Sequence, residues 1–286
     1  MTEPAGVIHD IGYQRYQGER LGRRYVVSSL WTHSLRTAYG FGRTAKAKIF
    51  PWLVAGLILS VAVVGVVIRA VTGEVAISYL ALPEGIYPLL ILFAAVVAPE
   101  LVSRELRTGV LSLYFSRPLS QTEYALAKLA ALVAALWLLL AGPLLLLFLG
   151  GVFSVDGWSA VWDEIGDFVP GLLHAGIHAL LIGSIALLIA SLIGRRAVAA
   201  GAIVAAFLMT TPVVVVLSEV GGDTGSQLAG LFSPSTIGFG VRDWLFGTDG
   251  EESMIGDYGP VYGLVTLALV GACVGLLVLR YRRMRA

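Results

Sequence analysis

The sequence predicts an all-α polytopic membrane protein that crosses the bilayer six times, and three observations lead to this fold class. Hydrophobic residues make up 57% of the 286 residues and charged residues only 14%. The mean hydropathy of +0.83 is above the range of soluble domains. The apolar residues also gather into runs of about 20, the length that crosses a hydrocarbon core of about 30 Å as a helix. The predicted spans are Phe50–Val71, Ile86–Val102, Tyr124–Val152, Phe168–Gly194, Ala197–Leu217 and Pro260–Leu279.

The distribution of charge predicts the orientation of these spans. Four segments hold 18 of the 20 Lys and Arg residues, and three loops on the other side hold 13 of the 19 Asp and Glu residues. Because basic residues accumulate on the cytoplasmic side, we expect both termini in the cytoplasm and the protein in the plasma membrane of the cell. The basic segments are 1–49, 103–128, 195–196 and 280–286, and the acidic loops are 72–85, 153–167 and 218–259.

Residues 1–49 form a cytoplasmic segment ahead of the transmembrane domain, 50–286, and contain one predicted amphipathic helix. Within Arg23–Arg43, apolar residues recur every three or four positions, and polar residues occupy the opposite face. The pattern predicts a helix that lies in the inner interface of the membrane. A helix packed on a cytoplasmic partner domain is the alternative. The apolar face consists of Val27, Leu30, Trp31, Leu35, Ala38 and Tyr39.

A large polar segment, 103–120, separates the second and third spans. Its apolar residues share one face over Arg104–Ser116, which predicts a short helix lying across the end of the bundle. The residues of that face are Leu106, Val110, Leu113 and Tyr114.

A rigid corner follows this short helix. Pro118 disfavours helical geometry at Arg117 and ends the helix there. Ser120 and Glu123 then have the spacing of a capping box, which starts the third span. Such a corner can transmit a displacement caused by a soluble partner to two transmembrane helices. A surface turn that serves only the topology is the alternative.

Three polar residues inside the spans are candidates for a substrate or proton pathway. Glu100 lies near the inner end of the second span, and we expect it to meet water or a basic residue of the N-terminal helix. A proton relay is the alternative. His174 and His178 lie one helical turn apart on the fourth span. A metal ion would need a third ligand, for which Asp167 is a candidate, but bonding to a neighbouring helix is the more common use, and we predict no metal site.

The external segment, 218–259, contains an apolar stretch that is too short and too interrupted to span. The stretch Ser226–Gly247 fits a re-entrant or interfacial cap over the mouth of a pathway, and a loosely folded loop is the alternative. Cys273 is the single cysteine, so no intramolecular disulfide holds this segment.

The sequence contains no motif for covalent or nucleotide chemistry. It has no GxxxxGK[ST] phosphate loop, no HExxH and no GxSxG. The net charge of +1 gives no reason to expect a nucleic-acid partner. We therefore expect a membrane protein that is not itself an enzyme.

The stretch SRELRTGVLSLYFSRPLSQTEYALAKLAA, residues 103–131, resembles a segment of ABC-transporter permeases of the ABC type-2 exporter group. That segment follows the second span and reads roughly E-x-R-x-x-G-T-L, then P-[hydrophobic]-S-R, then Gly-Lys. In this chain Glu105 and Arg107 lie one position closer to the glycine, Gly109, than in that pattern. Val110, Gln121 and Ala127 replace the common Thr, Arg and Gly. The matching positions are Glu105, Arg107, Gly109, Leu111, Pro118, Leu119, Ser120 and Lys128.

The resemblance implies a permease subunit that pairs with a second copy or homologue and with two separate ABC ATP-binding subunits. ATP and magnesium would be bound by those partners, and this chain would bind no cofactor. The segment would contain the coupling helix that docks on the ATPase. The coupling residues would be Arg104, Glu105, Arg107, Gly109, Leu113, Tyr114, Arg117 and Pro118.

Two other functions remain open from the sequence. A proton-coupled secondary transporter would use Glu100, His174 and His178. A membrane scaffold would hold a cytoplasmic enzyme through the N-terminal helix. Mostly apolar walls would suit lipids, drugs, peptides or antibiotics equally as substrates.

Overall fold

Apolar sequence produces helices throughout the part of the chain that the computed structural model describes, which is residues 21–109, 114, 119–247 and 255–283. These residues form no β-strand. The helices are α1 Arg23–Ala38, α2 Ala45–Thr72, α3 Leu82–Gly85, α4 Tyr87–Leu101, α5 Ser103–Thr108, α6 Gln121–Ser154, α7 Trp158–Leu192, α8 Arg196–Leu208, α9 Thr211–Val220, α10 Gly222–Ala229, α11 Pro234–Phe246 and α12 Gly259–Arg283.

Five helical stretches are long and apolar enough to cross a membrane, which is compatible with a multi-pass membrane protein. They are α2, α6, α7, the α8–α9 pair taken together, and α12 with the short turn that precedes it. The first, third and sixth predicted spans each lie inside one of them. At 1.5 Å per residue, the two longest helices, α6 and α7, each extend for about 50 Å.

The second predicted span, Ile86–Val102, corresponds to a shorter helix. α4 has 15 residues and is therefore only about 22 Å long, less than a hydrocarbon core of about 30 Å. Most of its residues are buried by α7, α8 and other helices of the chain. Since protein rather than lipid surrounds it, α4 is a central packing helix of the bundle.

Two further boundaries differ from the prediction. α7 begins at Trp158, so most of the predicted loop 153–167 is helical. The fifth predicted span, Ala197–Leu217, is two helices that meet at Met209 and Thr210. Pro212 lies in the first turn of α9, where its missing N–H does not disturb the new helix.

The segment between α9 and α12 is folded, so a loose loop is the wrong alternative for its described part. α10 and α11 follow one another, and α11 packs on both α7 and α12. Tyr262 of α12 is buried and donates a hydrogen bond from its hydroxyl to the carbonyl of Gln227 at 2.8 Å.

The bundle has two ends with different charges. The end that carries α1, α5 and the first turn of α6 is called the basic end. The opposite end, which carries α3, the first turns of α7 and the last turns of α11, is called the acidic end. Contacts such as Ser103 with Ala190 and Arg69 with Glu164 place the helix termini at these two ends.

Candidate functional site

The short helix α5 lies at the basic end, where the sequence predicts the coupling helix. It follows α4 directly, because Val102 leaves helical geometry and turns the chain. The hydroxyl of Ser103 donates a hydrogen bond to the carbonyl of Ala190 at 2.8 Å, and Ser103 is fully buried. α5 is thereby tied to the last turn of α7.

A buried ion pair joins α5 to α6. Nζ of Lys128 lies 2.7 Å from Oε1 of Glu105, and the hydroxyl of Tyr124 donates to Oε2 of the same carboxylate. Lys128 is only 2% exposed, so its charge depends on Glu105 for compensation. Removing either partner would leave the other charge buried without it.

An aromatic cluster surrounds this ion pair. The ring of Tyr124 lies 5.2 Å from that of Tyr281 in α12 and 5.7 Å from that of Tyr114, and Lys128 Nζ lies 5.5 Å from the centre of the Tyr124 ring. These ring contacts are in the range of favourable aromatic packing. The cluster connects the chain after α5 with both α6 and α12.

The predicted continuous helix over Arg104–Ser116 is wrong. α5 ends at Thr108, because Gly109 adopts a left-handed φ of 68°, a conformation that glycine reaches without steric cost. Tyr114 is half-buried against Tyr124 rather than free for a partner.

Several predicted coupling residues are described only in part. For Arg104 and Arg107 the backbone in α5 is described, and the side chains are not. Leu113, Arg117 and Pro118 lie outside the described residues. The capping box after them is confirmed: the hydroxyl of Ser120 accepts from the backbone N–H of Glu123, whose carboxylate accepts from the N–H of Ser120.

Glu100, the predicted intramembrane acid, forms a second ion-pair group at the basic end. It is 8% exposed and pairs with Arg43 and with Arg196, the latter at 2.5 Å. Arg43 follows α1, and Arg196 begins α8. The basic partner that the sequence led us to expect, Arg43, therefore lies just beyond the N-terminal helix. The two ion pairs hold the segment after α1, helix α4 and the start of α8 together.

A cavity of about 670 Å³ with charged residues in its wall lies between the two ion-pair groups. Glu100 and Arg43 line one part of it, and Glu105 and Lys128 line another. His33 of α1 also reaches this cavity. Its charges come in opposite pairs, so the cavity can admit water while the helices around it remain fixed to one another.

Part of the apolar face of α1 is covered by the chain itself. Leu30 and Ala38 are buried, and α1 makes its most extensive contacts with α6. The hydroxyl of Tyr39 donates to the carbonyl of Ala135 at 2.8 Å. Burial raises the pKa of Tyr39 to about 12, so this hydroxyl keeps its proton. A helix therefore forms where the sequence predicts one, and Leu30 and Ala38 of its predicted apolar face pack on the bundle.

The histidine pair lies near the acidic end, inside the bundle. His174 and His178 are fully buried, with their rings 4.4 Å apart. Nε2 of His174 lies 3.9 Å from Oε1 of Glu84, whose other carboxylate oxygen pairs with Arg242 at 2.8 Å.

The described residues contain no group of three side chains able to hold a metal ion. Asp167, the candidate third ligand, lies instead in a pocket with Arg69 and Glu164. His178 stacks on Phe239 of α11 with the ring centres 5.7 Å apart. The pair thus contacts a neighbouring helix, as histidines inside a bundle commonly do.

An ion-pair group that the sequence analysis missed joins α2 to α7 at the acidic end. Arg69 donates two hydrogen bonds to the Glu164 carboxylate, at 2.8 and 2.6 Å, and the Tyr79 hydroxyl donates to the same group. A signal was present, because an arginine inside an apolar run needs an acidic partner. The partner is 95 positions away, beyond the reach of local patterns.

The ion pairs of the basic end hold α1, α4, α5, α6 and α8 in fixed positions relative to one another. Three acids of this end, Glu100, Glu105 and Glu123, each pair with a cation. No protein-family model matches the chain, and no curated protein matches it.

Proposed function

We propose that this chain is the permease subunit of an ATP-driven ABC exporter. One observation supports the proposal most strongly: α5, the short helix in the segment that resembles a coupling helix, is fastened to α6 by the pair of Glu105 and Lys128. Both residues belong to the motif that carries the resemblance. A fastened helix can pass a displacement to α6 without bending away from it.

In the proposed topology the chain crosses the plasma membrane six times, with the basic end in the cytoplasm. α4 makes the second crossing although it is short, because irregular backbone is tolerated at membrane depth where protein surrounds it. The charge distribution supports cytoplasmic termini. The segment with α10 and α11 then forms a cap on the external side.

The proposed complex contains two permease chains and two ABC ATP-binding subunits, which supply ATP and magnesium sites. The chain has no phosphate loop of its own. α2 and the α8–α9 pair have only 22% and 11% of their most apolar stretches buried within the chain. Such surfaces suit contact with lipid and with a second copy, between which a substrate route can form.

Co-expression tests the proposal. The purified chain alone is expected to hydrolyse no ATP, and when it is co-expressed with a cognate ABC ATPase it is expected to co-purify with that ATPase as an active complex. An ATPase whose phosphate-loop lysine is replaced is the control for background activity. Hydrolysis by the isolated chain, or failure to bind any such ATPase, would refute the permease proposal.

A second candidate, a proton-coupled secondary transporter, is favoured by the buried histidines. Among the described residues, the ring nitrogens of His174 and His178 have no hydrogen-bond partner, and Glu84 lies near by. In vesicles, this candidate predicts substrate uptake that follows an imposed proton gradient without ATP and is lost in His174→Gln. Transport that needs ATP and survives this substitution would exclude it.

A further inference from the structure

A wide groove runs between α1 and α6 at the basic end. Its volume is about 940 Å³, within the range of sites that hold a small-molecule ligand. Val27 and Trp31 line it from α1, and Leu126 and Ala130 line it from α6. Leu126 is 42% exposed, so the groove is open along its apolar side.

The mouth of this groove is basic. Arg23 and Arg24, the first two residues of α1, both line it. Arg23 pairs with Glu123, with 2.6 Å between Nε and Oε1. Arg24 has no ion-pair partner within the described ranges, and its side chain is exposed. One positive charge at the mouth is therefore uncompensated by the residues that the structure describes.

In the proposed topology, the groove lies at the level where lipid headgroups meet the acyl chains. One of its walls is the beginning of α6, which is long and apolar enough to cross a membrane. The other wall is an amphipathic helix with arginines at one end and an indole further along. Arginine extends toward the aqueous side at such positions, and tryptophan is favoured at the interface itself.

From this arrangement we infer that the groove binds an anionic glycerophospholipid. The phosphate and the negative headgroup pair with Arg24 at the mouth, and an acyl chain lies along Val27, Trp31, Leu126 and Ala130. Charge complementarity selects an anionic over a zwitterionic lipid, since each basic side chain near a membrane surface favours anionic lipid by about five-fold. The inference needs only a membrane with α1 at its surface, and it does not depend on the ABC proposal.

Tryptophan quenching tests this site, because Trp31 lines the groove. The full chain is placed in vesicles of phosphatidylcholine that contain a small fraction of either brominated phosphatidylglycerol or brominated phosphatidylcholine. The Trp31 signal is the difference between the wild type and Trp31→Phe. We expect phosphatidylglycerol to quench this signal at roughly five-fold lower mole fraction than phosphatidylcholine, with the preference shrinking at high salt.

Two variants separate the headgroup from the acyl chain. Arg24→Gln is expected to reduce the preference to near one, and Arg36→Gln, an exposed arginine of the same helix outside the groove, is expected to retain it. Ala130→Phe is expected to fill the groove and reduce quenching by both lipids. Leu138→Phe, at an exposed position further along α6, is its control.

Three outcomes would overturn the inference. Equal quenching of wild-type Trp31 by both lipids would mean that the groove has no headgroup preference. Quenching by neither lipid would mean that protein, from this chain or a second copy, covers the groove. Unchanged quenching in Ala130→Phe would mean that the acyl chain lies elsewhere. The experiment contains no ATPase, so its result is independent of whether this chain is a permease.

Discussion

Lys128 Nζ lies 2.7 Å from Oε1 of Glu105, although 23 positions separate the two residues in the chain. Glu105 belongs to α5 and Lys128 to α6, so a short helix at the end of the bundle is fixed to one of its two longest helices. The lysine is almost completely buried, and a buried cation is stable only with a compensating anion.

Breaking this pair on one side should destabilise the fold. Lys128→Met removes the cation and leaves the Glu105 carboxylate with the Tyr124 hydroxyl alone, at a cost of about 3 kcal/mol. The double variant Glu105→Gln/Lys128→Met should recover most of that loss, because no charge is left uncompensated. Thermal unfolding in detergent, followed by tryptophan fluorescence, measures both.

Lys46→Met is the control for the lost positive charge, since Lys46 is exposed at the start of α2. It should unfold at the wild-type midpoint. If Lys128→Met also did so, the ion pair would contribute nothing to the attachment of α5.

The stability that the ion pair of Arg69 and Glu164 gives to the acidic end should depend on the shape of the cation. Arg69 holds Glu164 through two nitrogens, and a lysine can supply only one. Burial and the neighbouring carboxylate raise the pKa of Tyr79 above its usual range, so this tyrosine remains a donor to Glu164. Arg69→Leu should therefore cost about 3 kcal/mol and Arg69→Lys about half of that.

The unfolding midpoints of these two variants decide the point, with Arg24→Leu as the control for an exposed arginine. Equal midpoints for Arg69→Leu and the wild type would contradict the assignment. Equal midpoints for Arg69→Lys and Arg69→Leu would show that the two-nitrogen geometry, rather than the charge, holds Glu164.

The proposed orientation predicts which thiols an impermeant reagent reaches. In a Cys273→Ala background, Asp156→Cys at the acidic end should react in intact cells, and Ser29→Cys on α1 should react only after permeabilisation. Both positions are exposed. Gly157 is less suitable than Asp156, because its φ of 91° would strain a cysteine. Maleimide labelling of Ser29→Cys from outside would show that the orientation is the reverse of the proposed one.

The contact between α11 and the histidine pair should depend on the absence of a side chain at Gly238. A Cβ there would lie 2.9 Å from Cε1 of His178, whose ring is fully buried and cannot easily move. Gly238→Val should lift α11 from α7 and increase the thiol reactivity of a cysteine at the buried Ser235. Gly142→Val, where a Cβ meets no other atom within 4 Å, should leave that reactivity unchanged. Equal reactivity in both variants would mean that α11 does not rest on His178.

Local patterns predicted the elements whose causes are local. The capping box joins Ser120 and Glu123, which are only three positions apart, and it forms as expected. The face of α1 was also read from spacing alone, and Leu30 and Ala38 are buried as that spacing requires. The break at Gly109 is local too, but its cause is a positive φ, which the apolar pattern over Arg104–Ser116 does not reveal.

The remaining differences have long-range causes. The prediction placed residues 153–167 in a loop outside the apolar runs, but Glu164 is paired with Arg69 and Tyr79, which are 95 and 85 positions away. Pairing removes the penalty for placing a charge in a buried helix, so the helix begins at Trp158. Likewise, Glu105 and Lys128 were both singled out by the resemblance, while their contact follows only from the path of the chain.

The coupling hypothesis makes its sharpest prediction at Glu105. If an ATPase pushes on α5, the displacement reaches α6 through the carboxylate that Lys128 and Tyr124 hold. The double variant Glu105→Gln/Lys128→Met breaks this ionic link without leaving a buried charge uncompensated, and the glutamine keeps a hydrogen bond to Tyr124. The complex with the ATPase should therefore still assemble and hydrolyse ATP, while transport per ATP falls several-fold.

Arg107→Ala should act differently, because losing an arginine anchor from an interface costs about 2 kcal/mol or roughly thirty-fold in affinity, which lowers recovery of the complex itself. Pull-down, ATP hydrolysis and efflux at matched membrane levels distinguish the two effects, with Lys46→Gln as a control that should change none of them. Wild-type behaviour of both variants in all three assays would leave the 103–120 segment as a turn that serves the topology alone.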